Sequence, residues 1–148
     1  MKTMGLFLAE GHRLIYAIRP DATVREALEL MAQKNIGALL VMDGPQLAGI
    51  FSERDYARKV VLQGRSSNDA LVQDIMTAQV ITVQAAQNID ECMQIMTDKH
   101  VRHLPILEGQ RVIGLISIGD VVREMMFGPS RQCLKRSSYR IHGHGPWC

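Results

Sequence analysis

One feature constrains this chain more than any other: it contains the same pattern twice. At a constant offset of 65, residues 17–58 overlay residues 82–123 without a gap. Glu26 and Glu91, Met31 and Met96, Lys34 and Lys99, Leu39 and Leu104 are identical pairs. So are Gly44 and Gly109, Gly49 and Gly114, Ser52 and Ser117, Asp55 and Asp120, Arg58 and Arg123. Apolar character matches at further places, such as Val24 with Ile89 and Ile50 with Leu115. A unit of about 60 residues buries too little surface to be comfortably stable alone. The two copies are therefore expected to pack on each other.

Each copy begins a helix in the same way. Thr23 and Asn88 are suited to cap the helix N-terminus, and Glu26 and Glu91, three residues on, can reach back to the cap backbone. The helices then carry Val24, Ala27, Leu28 and Met31, or Ile89, Cys92, Met93 and Met96, at the i, i+3, i+4, i+7 spacing of a half-buried helix. Cys92 reads as core. Two short apolar runs follow, 38–42 and 47–51 in the first copy and 104–107 and 112–116 in the second, separated by Asp43-Gly44 or Glu108-Gly109. Short runs bounded by turns fit buried strands. Further helices are predicted over 53–62 and 118–126, and first strands near 14–18 and 80–83. The fold class is α/β (α+β): two β-α-β-β-α units, residues 9–62 and 74–127, joined by a polar linker over 63–73. Asp74-Ile75-Met76-Thr77 opens the second copy, and Ala9-Glu10-Gly11-His12 stands in register with it.

Composition excludes several classes. Of 148 residues, 47% are hydrophobic and 22% charged, enough apolar material for a core and against disorder. The longest apolar run, 36–42, is far short of the ~20 residues of a membrane span. The apolar stretch 4–9 is too short for a secretion signal, and three cysteines without paired spacing suit a reducing compartment. A cytoplasmic protein is expected. The net charge of +2 divides unevenly: residues 127–148 carry Arg131, Lys135, Arg136 and Arg140 and no acid, so the rest is at -2. That tail, 128–148, is Gly/Pro-rich and expected to be flexible.

Both copies end their second strand with the same spacing: Gly49-Ile50-Phe51-Ser52-Glu53-Arg54-Asp55 and Gly114-Leu115-Ile116-Ser117-Ile118-Gly119-Asp120. A structural reading is a capping box with Asp in place of Glu. A functional reading is that the glycine lets another group approach the strand, the helix N-terminus attracts phosphate and the carboxylate accepts sugar hydroxyls.

With this terminal motif, the duplicated unit, the Asp74-Ile75-Met76-Thr77 segment and the Arg102-His103-Leu104-Pro105-Ile106 strand, residues 9–126 resemble a tandem pair of CBS domains, the Bateman module. The resemblance implies two units about a pseudo-twofold axis, leaving two clefts for adenosine nucleotides: AMP, ADP, ATP or NAD. One cleft would combine Ser52, Arg54, Asp55, Thr77, Ile81, Arg102, His103 and Pro105. The other would combine His12, Tyr16, Gly37, Ala38, Ser117, Gly119 and Asp120. Arg54, Arg102 and His103 make the first the better phosphate site, because Arg offers a planar fork. The resemblance also implies a homodimer through the helices flanking the clefts, where Val60, Val61, Met125 and Met126 are apolar.

Other chemistry finds less support. His100 and His103 lack an accompanying ligand set for a metal, and His100 fits a helix C-terminus. His142, His144 and Cys148 sit in the flexible tail. No nucleophile elbow, P-loop or dinucleotide fingerprint is present, so neither an enzyme nor a catalytic cofactor is expected. Four tail charges with Tyr139 and Trp147 give at best a salt-sensitive contact to nucleic acid. The reading is a regulatory adenosine-nucleotide module acting on an unknown partner protein or on self-association; the alternative is a ligand-free dimerisation scaffold.

Overall fold

The protein is described by a computed structural model covering residues 2–11 and 15–127. His12, Leu14 and the tail 128–148, with its His142, His144 and Cys148, lie outside the described residues.

The chain opens with helix α1 (Met4–Gly11), then β1 (Ala17–Ile18), α2 (Val24–Lys34), β2 (Ala38–Asp43), β3 (Gln46–Ser52) and α3 (Glu53–Tyr56), which runs on as a π turn over Ala57–Val61. Helix α4 (Val72–Ile75) leads to β4 (Val83–Gln84), α5 (Ile89–Lys99), β5 (His103–Glu108), β6 (Arg111–Ser117) and α6 (Ile118–Phe127). Both capping boxes form. Thr23 Oγ1 accepts the Glu26 amide at 3.1 Å and Glu26 accepts the Thr23 amide at 3.1 Å. Asn88 and Glu91 do the same at 2.9 and 3.1 Å. Both helices end on a left-handed residue, Asn35 (φ 54) and His100 (φ 56), so His100 is a helix terminator, as its place in the repeat predicts.

Two three-stranded sheets result, ordered β1-β2-β3 and β4-β5-β6, each with one parallel and one antiparallel pairing. Registers match copy for copy: Ala38 faces Ser52 as His103 faces Ser117, and each long pair is interrupted at the same place, after Val41 and after Ile106. One face of each sheet packs on its helices. The other faces meet through Ala38, Leu40 and Ile50, with Val112 and Leu115 of the second unit against them. Strands covered on both sides read as continuous apolar runs, which is why 38–41 shows no alternation.

The opening segments are exchanged. Asp74-Ile75-Met76-Thr77 opens the second copy in sequence, but Val72 and Ile75 are buried with Val24, Met31 and Phe51 of the first unit. Met4 and Phe7 of α1 are buried in turn with Ile89, Cys92, Met96 and Val121 of the second. The backbone bonds are equivalent: Val72 N–H donates to Ala22 at 2.8 Å and Met4 N–H to Gln87 at 2.8 Å; Gln73 donates to Pro20 and Gly5 to Ala85, both at 2.9 Å. This reciprocity is what a twofold relation between units requires. It also corrects the register. The helices correspond at an offset of 68, not 65, so 6–9 rather than 9–12 is the counterpart of 74–77. The connection from Leu8 to Ala17 is three residues longer than that from Met76 to Thr82, and an ungapped overlay cannot see an insertion at its margin.

Val60 is also corrected. It was expected at an exposed dimer face, but it is 1% exposed within the first unit's core, while Val61, Leu62, Met125 and Met126 remain exposed. The π turn, in which the Leu62 amide reaches Ala57 at 3.1 Å, adds a residue to the turn and sets which of Val60 and Val61 faces inward.

Candidate functional site

Where β3 gives way to α3, the first unit faces residues 77–81 and 100–103 of the second across a cleft of about 850 Å³. Ser52, Arg54, Asp55, Thr77, Ile81, Arg102 and His103 all line it. Pro105 does not; it is buried in β5 opposite Leu115. Among the lining residues outside the set expected from sequence are Arg58, Lys59 and Gln79. Arg58 and Lys59 lie four residues beyond Arg54 and Asp55, the spacing that returns a helix to the same face, so the signal was available.

Asp55 is the most constrained group in the cleft, at 8% exposure. Its Oδ2 accepts the Ser52 amide and the Ser52 hydroxyl, both at 3.0 Å, and Ser52 Oγ accepts the Asp55 amide at 3.2 Å. The capping-box reading of this motif is therefore realised. Oδ1 accepts Thr77 Oγ1 at 3.1 Å and pairs with Lys59 Nζ at 3.2 Å. Those four partners fill the roughly four lone-pair sites of a carboxylate. Lys59 Nζ also donates to the Ile75 carbonyl at 3.0 Å, tying α3 to α4.

The motif glycine serves the chain itself. A Cβ on Gly49 would stand 2.7 Å from both Met76 Sδ and the Thr77 carbonyl oxygen. That space lets Ile50 and Thr77 exchange backbone bonds at 3.0 and 2.8 Å, which brings the Thr77 hydroxyl to Asp55. On Gly114 the same Cβ would meet Leu8 of α1 at 2.6 Å. What approaches each strand here is thus the other unit's opening segment.

Burial pushes the His103 imidazole below its ordinary 6.5; Asp120 and Glu53 pull it up and Arg102 pushes it further down. Its surroundings thus favour the neutral imidazole. Burial likewise pushes the Cys92 thiol up to about 11, as befits a core thiol.

The second motif is built identically at its start. Asp120 Oδ2 accepts the Ser117 amide and hydroxyl at 2.9 Å, and Asp120 is also 8% exposed. Gly119 stands two residues beyond Ser117, and a Cβ there would lie 3.6 Å from Ser117 Oγ. Beyond that the surroundings diverge. Asp120 faces Arg123 at 3.5 Å, and Glu124, the counterpart of Lys59, holds Lys2 at 2.6 Å together with Glu10. Burial opposes the Lys2 charge, but its bonds to Glu10 and Glu124 outweigh it and raise the pKa. Of the residues expected there, Gly37 lines the first cleft, Ala38 is buried at the interface between sheets, and Tyr16 packs on the first core with Lys34 Nζ 5.4 Å from its ring centre. Among the described residues no group of three or more His, Cys, Asp or Glu is placed to hold a metal ion, and no helix is long and apolar enough to cross a membrane.

Two exchanged α/β units with a Ser/Asp-capped helix at the mouth of a shared cleft define a class, and sequence comparison agrees with it. The CBS domain family model matches residues 13–62 and 72–126, and the chain belongs to the CBS-domain family, with two domains in tandem. It is 45% identical over 128 residues to the mitochondrial CBS domain-containing protein CBSX3 of Arabidopsis thaliana, covering 83% of this chain but only 62% of that protein's length. Among solved structures, a putative signal-transduction protein with CBS domains from Burkholderia ambifaria is 51% identical with a TM-score of 0.81, over 84% of this chain and 94% of that one. The CBS domain NE2398 is 44% identical with a TM-score of 0.80, over 84% and 97%.

Proposed function

We propose that this chain is a regulatory module that binds an adenosine nucleotide in the first cleft and passes its occupancy to a partner protein or to self-association. The observation that carries the reading is the cleft itself: residues of both units, the Asp55 carboxylate and the Arg54 and Arg102 guanidiniums share one concave site. Two CBS structures with the same fold support it at the level of fold alone: one from Pyrobaculum aerophilum, 22% identical, is complexed with AMP, and a CBS pair, 23% identical, is in complex with 5′-methylthioadenosine and S-adenosyl-L-methionine.

Ribose hydroxyls reach Asp55 only by taking the place of Lys59 or Thr77, because its acceptor sites are filled. Lys59 is the group that yields, being 44% exposed. Its release frees the Ile75 carbonyl as well, so occupancy is felt at α4, the helix joining the units. A ligand shifts the arrangement only through such differential contacts. The exposed Val61, Leu62, Met125 and Met126 support association of two copies.

Calorimetric titration with AMP, ADP, ATP, NAD and S-adenosylmethionine tests the reading. At least one binds, and Asp55→Asn weakens that binding far more than Asp120→Asn does. Silence from all five leaves the dimerisation scaffold instead.

A further inference from the structure

We propose that α1 is a releasable strap on the second unit: it leaves its groove while both units stay folded, Lys2 is the latch that holds it, and its release uncovers the Cys92 thiol. The device lies outside the first cleft and stands whether or not that cleft takes a nucleotide.

The two exchanged helices are held differently. α4 is bound at both ends. At its start Val72 and Gln73 donate to Ala22 and Pro20 at 2.8 and 2.9 Å. At its end Thr77 and Ile50 exchange backbone bonds at 2.8 and 3.0 Å, and Lys59 Nζ reaches the Ile75 carbonyl at 3.0 Å. α1 repeats only the first half of this. Met4 and Gly5 donate to Gln87 and Ala85 at 2.8 and 2.9 Å, and Ile89 donates to the Lys2 carbonyl at 3.2 Å. The counterpart of the Ile50–Thr77 exchange would join Leu115 to Ala9, but among the described residues no backbone bond joins residues 8–11 to β6. Side chains take its place: Leu8 covers Gly114, and Glu10 is tied through the Lys2 ammonium to Glu124 of α6. One largely buried cation thus fastens both the start and the end of α1 to the second unit.

Little in α1 itself keeps it helical. It has 8 residues, with glycine at its second and last positions, no acid in its first turn and no base in its last. A helix this short is marginal in water, and glycine inside it lowers its stability further. Its place depends on docking: Met4 and Phe7 are buried in one cluster with Ile89, Cys92, Met96 and Val121, while Leu6 is 51% exposed. The sheet β4-β5-β6 is bonded without any residue of α1, so the helix can leave it intact. Cys92 belongs to the cluster that α1 closes, just as its counterpart Ala27 shares a cluster with Val72 and Ile75 of α4. The thiol is fully buried while the strap is on.

The test follows the reaction of Cys92 with the disulfide reagent dithionitrobenzoate, in the full chain carrying Cys133→Ser and Cys148→Ser so that one thiol remains. Local opening exposes little surface, so the rate is nearly independent of urea at low concentration and rises steeply only where global unfolding takes over. In the flat region Lys2→Met speeds the reaction at least about tenfold, because it leaves Glu10 and Glu124 without their cation. Glu124→Gln gives a smaller rise in the same direction and tests the latch in its place if Lys2→Met does not fold. Gly5→Ala slows the reaction about threefold, since alanine favours the helix and its Cβ would stand no nearer than 3.4 Å to Ala85. Thr23→Ala, which weakens the cap of α2 in the first unit, leaves the flat-region rate unchanged. A rate that climbs steeply from zero urea, or that Thr23→Ala raises as much as Lys2→Met does, means that Cys92 is reached only by global unfolding and overturns the strap. A flat region that neither Lys2→Met nor Glu124→Gln accelerates overturns Lys2 as the latch.

Discussion

Asp55 and Asp120 hold the same place in the repeat and the same two bonds to serine, yet Asp55 pairs with Lys59 four residues on, whereas Asp120 pairs with Arg123 and the position of Lys59 is taken by Glu124. The strands, bulges and helix caps of the two units are superimposable in register. What differs around the motifs is one helix face, the opening segment, and the entry to the middle strand, Gly37-Ala38 in one unit and Arg102-His103 in the other. Along α3 the cleft is met by Arg54, Asp55, Arg58 and Lys59; along α6 the same positions carry Gly119, Asp120, Arg123 and Glu124. The two motifs thus share one local scaffold and differ in the charges set around it.

The comparison is broken most sharply at the motif glycines. A methyl at Gly49 meets the Thr77 backbone, whereas at Gly114 it meets the end of the Leu8 side chain, which can rotate away. Gly49→Ala is expected to cost about 1–3 kcal/mol and to weaken nucleotide binding by displacing Thr77 from Asp55. Gly114→Ala costs less, and urea denaturation of both variants measures the difference; equal costs would show that α1 is held as rigidly as the 76–77 crossing.

The helix caps probe what the units share. Thr23→Ala and Asn88→Ala each remove a side chain that satisfies an orphan amide, so each costs about 1 kcal/mol. Near-equal losses in thermal or urea unfolding are expected. A large disparity would mean that one unit is already loose before the cap is removed.

His103 offers the finest distinction, since its counterpart in the first unit, Ala38, does not titrate. With its pKa lowered by burial, the unfolded chain binds the proton more readily than the folded one. The stabilisation is complete above pH 6.5 and is lost as pH falls below that value toward the lower folded pKa. Wild type should therefore lose more stability than His103→Gln between about pH 7.5 and 5.5. Asp120, Glu53 and Arg102, which face the ring, remain in both proteins, so their own contributions largely cancel.

Much of this was legible from residue order. Period-3.6 stripes found α2 and α5, the capping boxes placed their starts, and the G-x-x-S-x-x-D motif marked both Ser/Asp pairs. Helix α1 was missed, although Met4, Phe7 and Leu8 have helical spacing, because a short apolar segment outside the repeat has no partner visible in sequence. Arg58 was seen only as one of the repeated identities. Its pairing with Arg54 on a cleft wall depends on which helix face is turned toward the other unit.

The sequence by itself determined the two-unit architecture and the fold of each unit, because local propensity, capping and apolar periodicity act over a few residues and were present twice. It also determined the charge difference between the two helix faces. Only the tertiary structure decided that each opening helix completes the other unit's core, that the motif glycines make room for that exchange, and that Gly37 belongs to the first cleft. Those outcomes depend on contacts between residues more than 20 positions apart in the chain, where burial of apolar surface rather than local preference selects the partner.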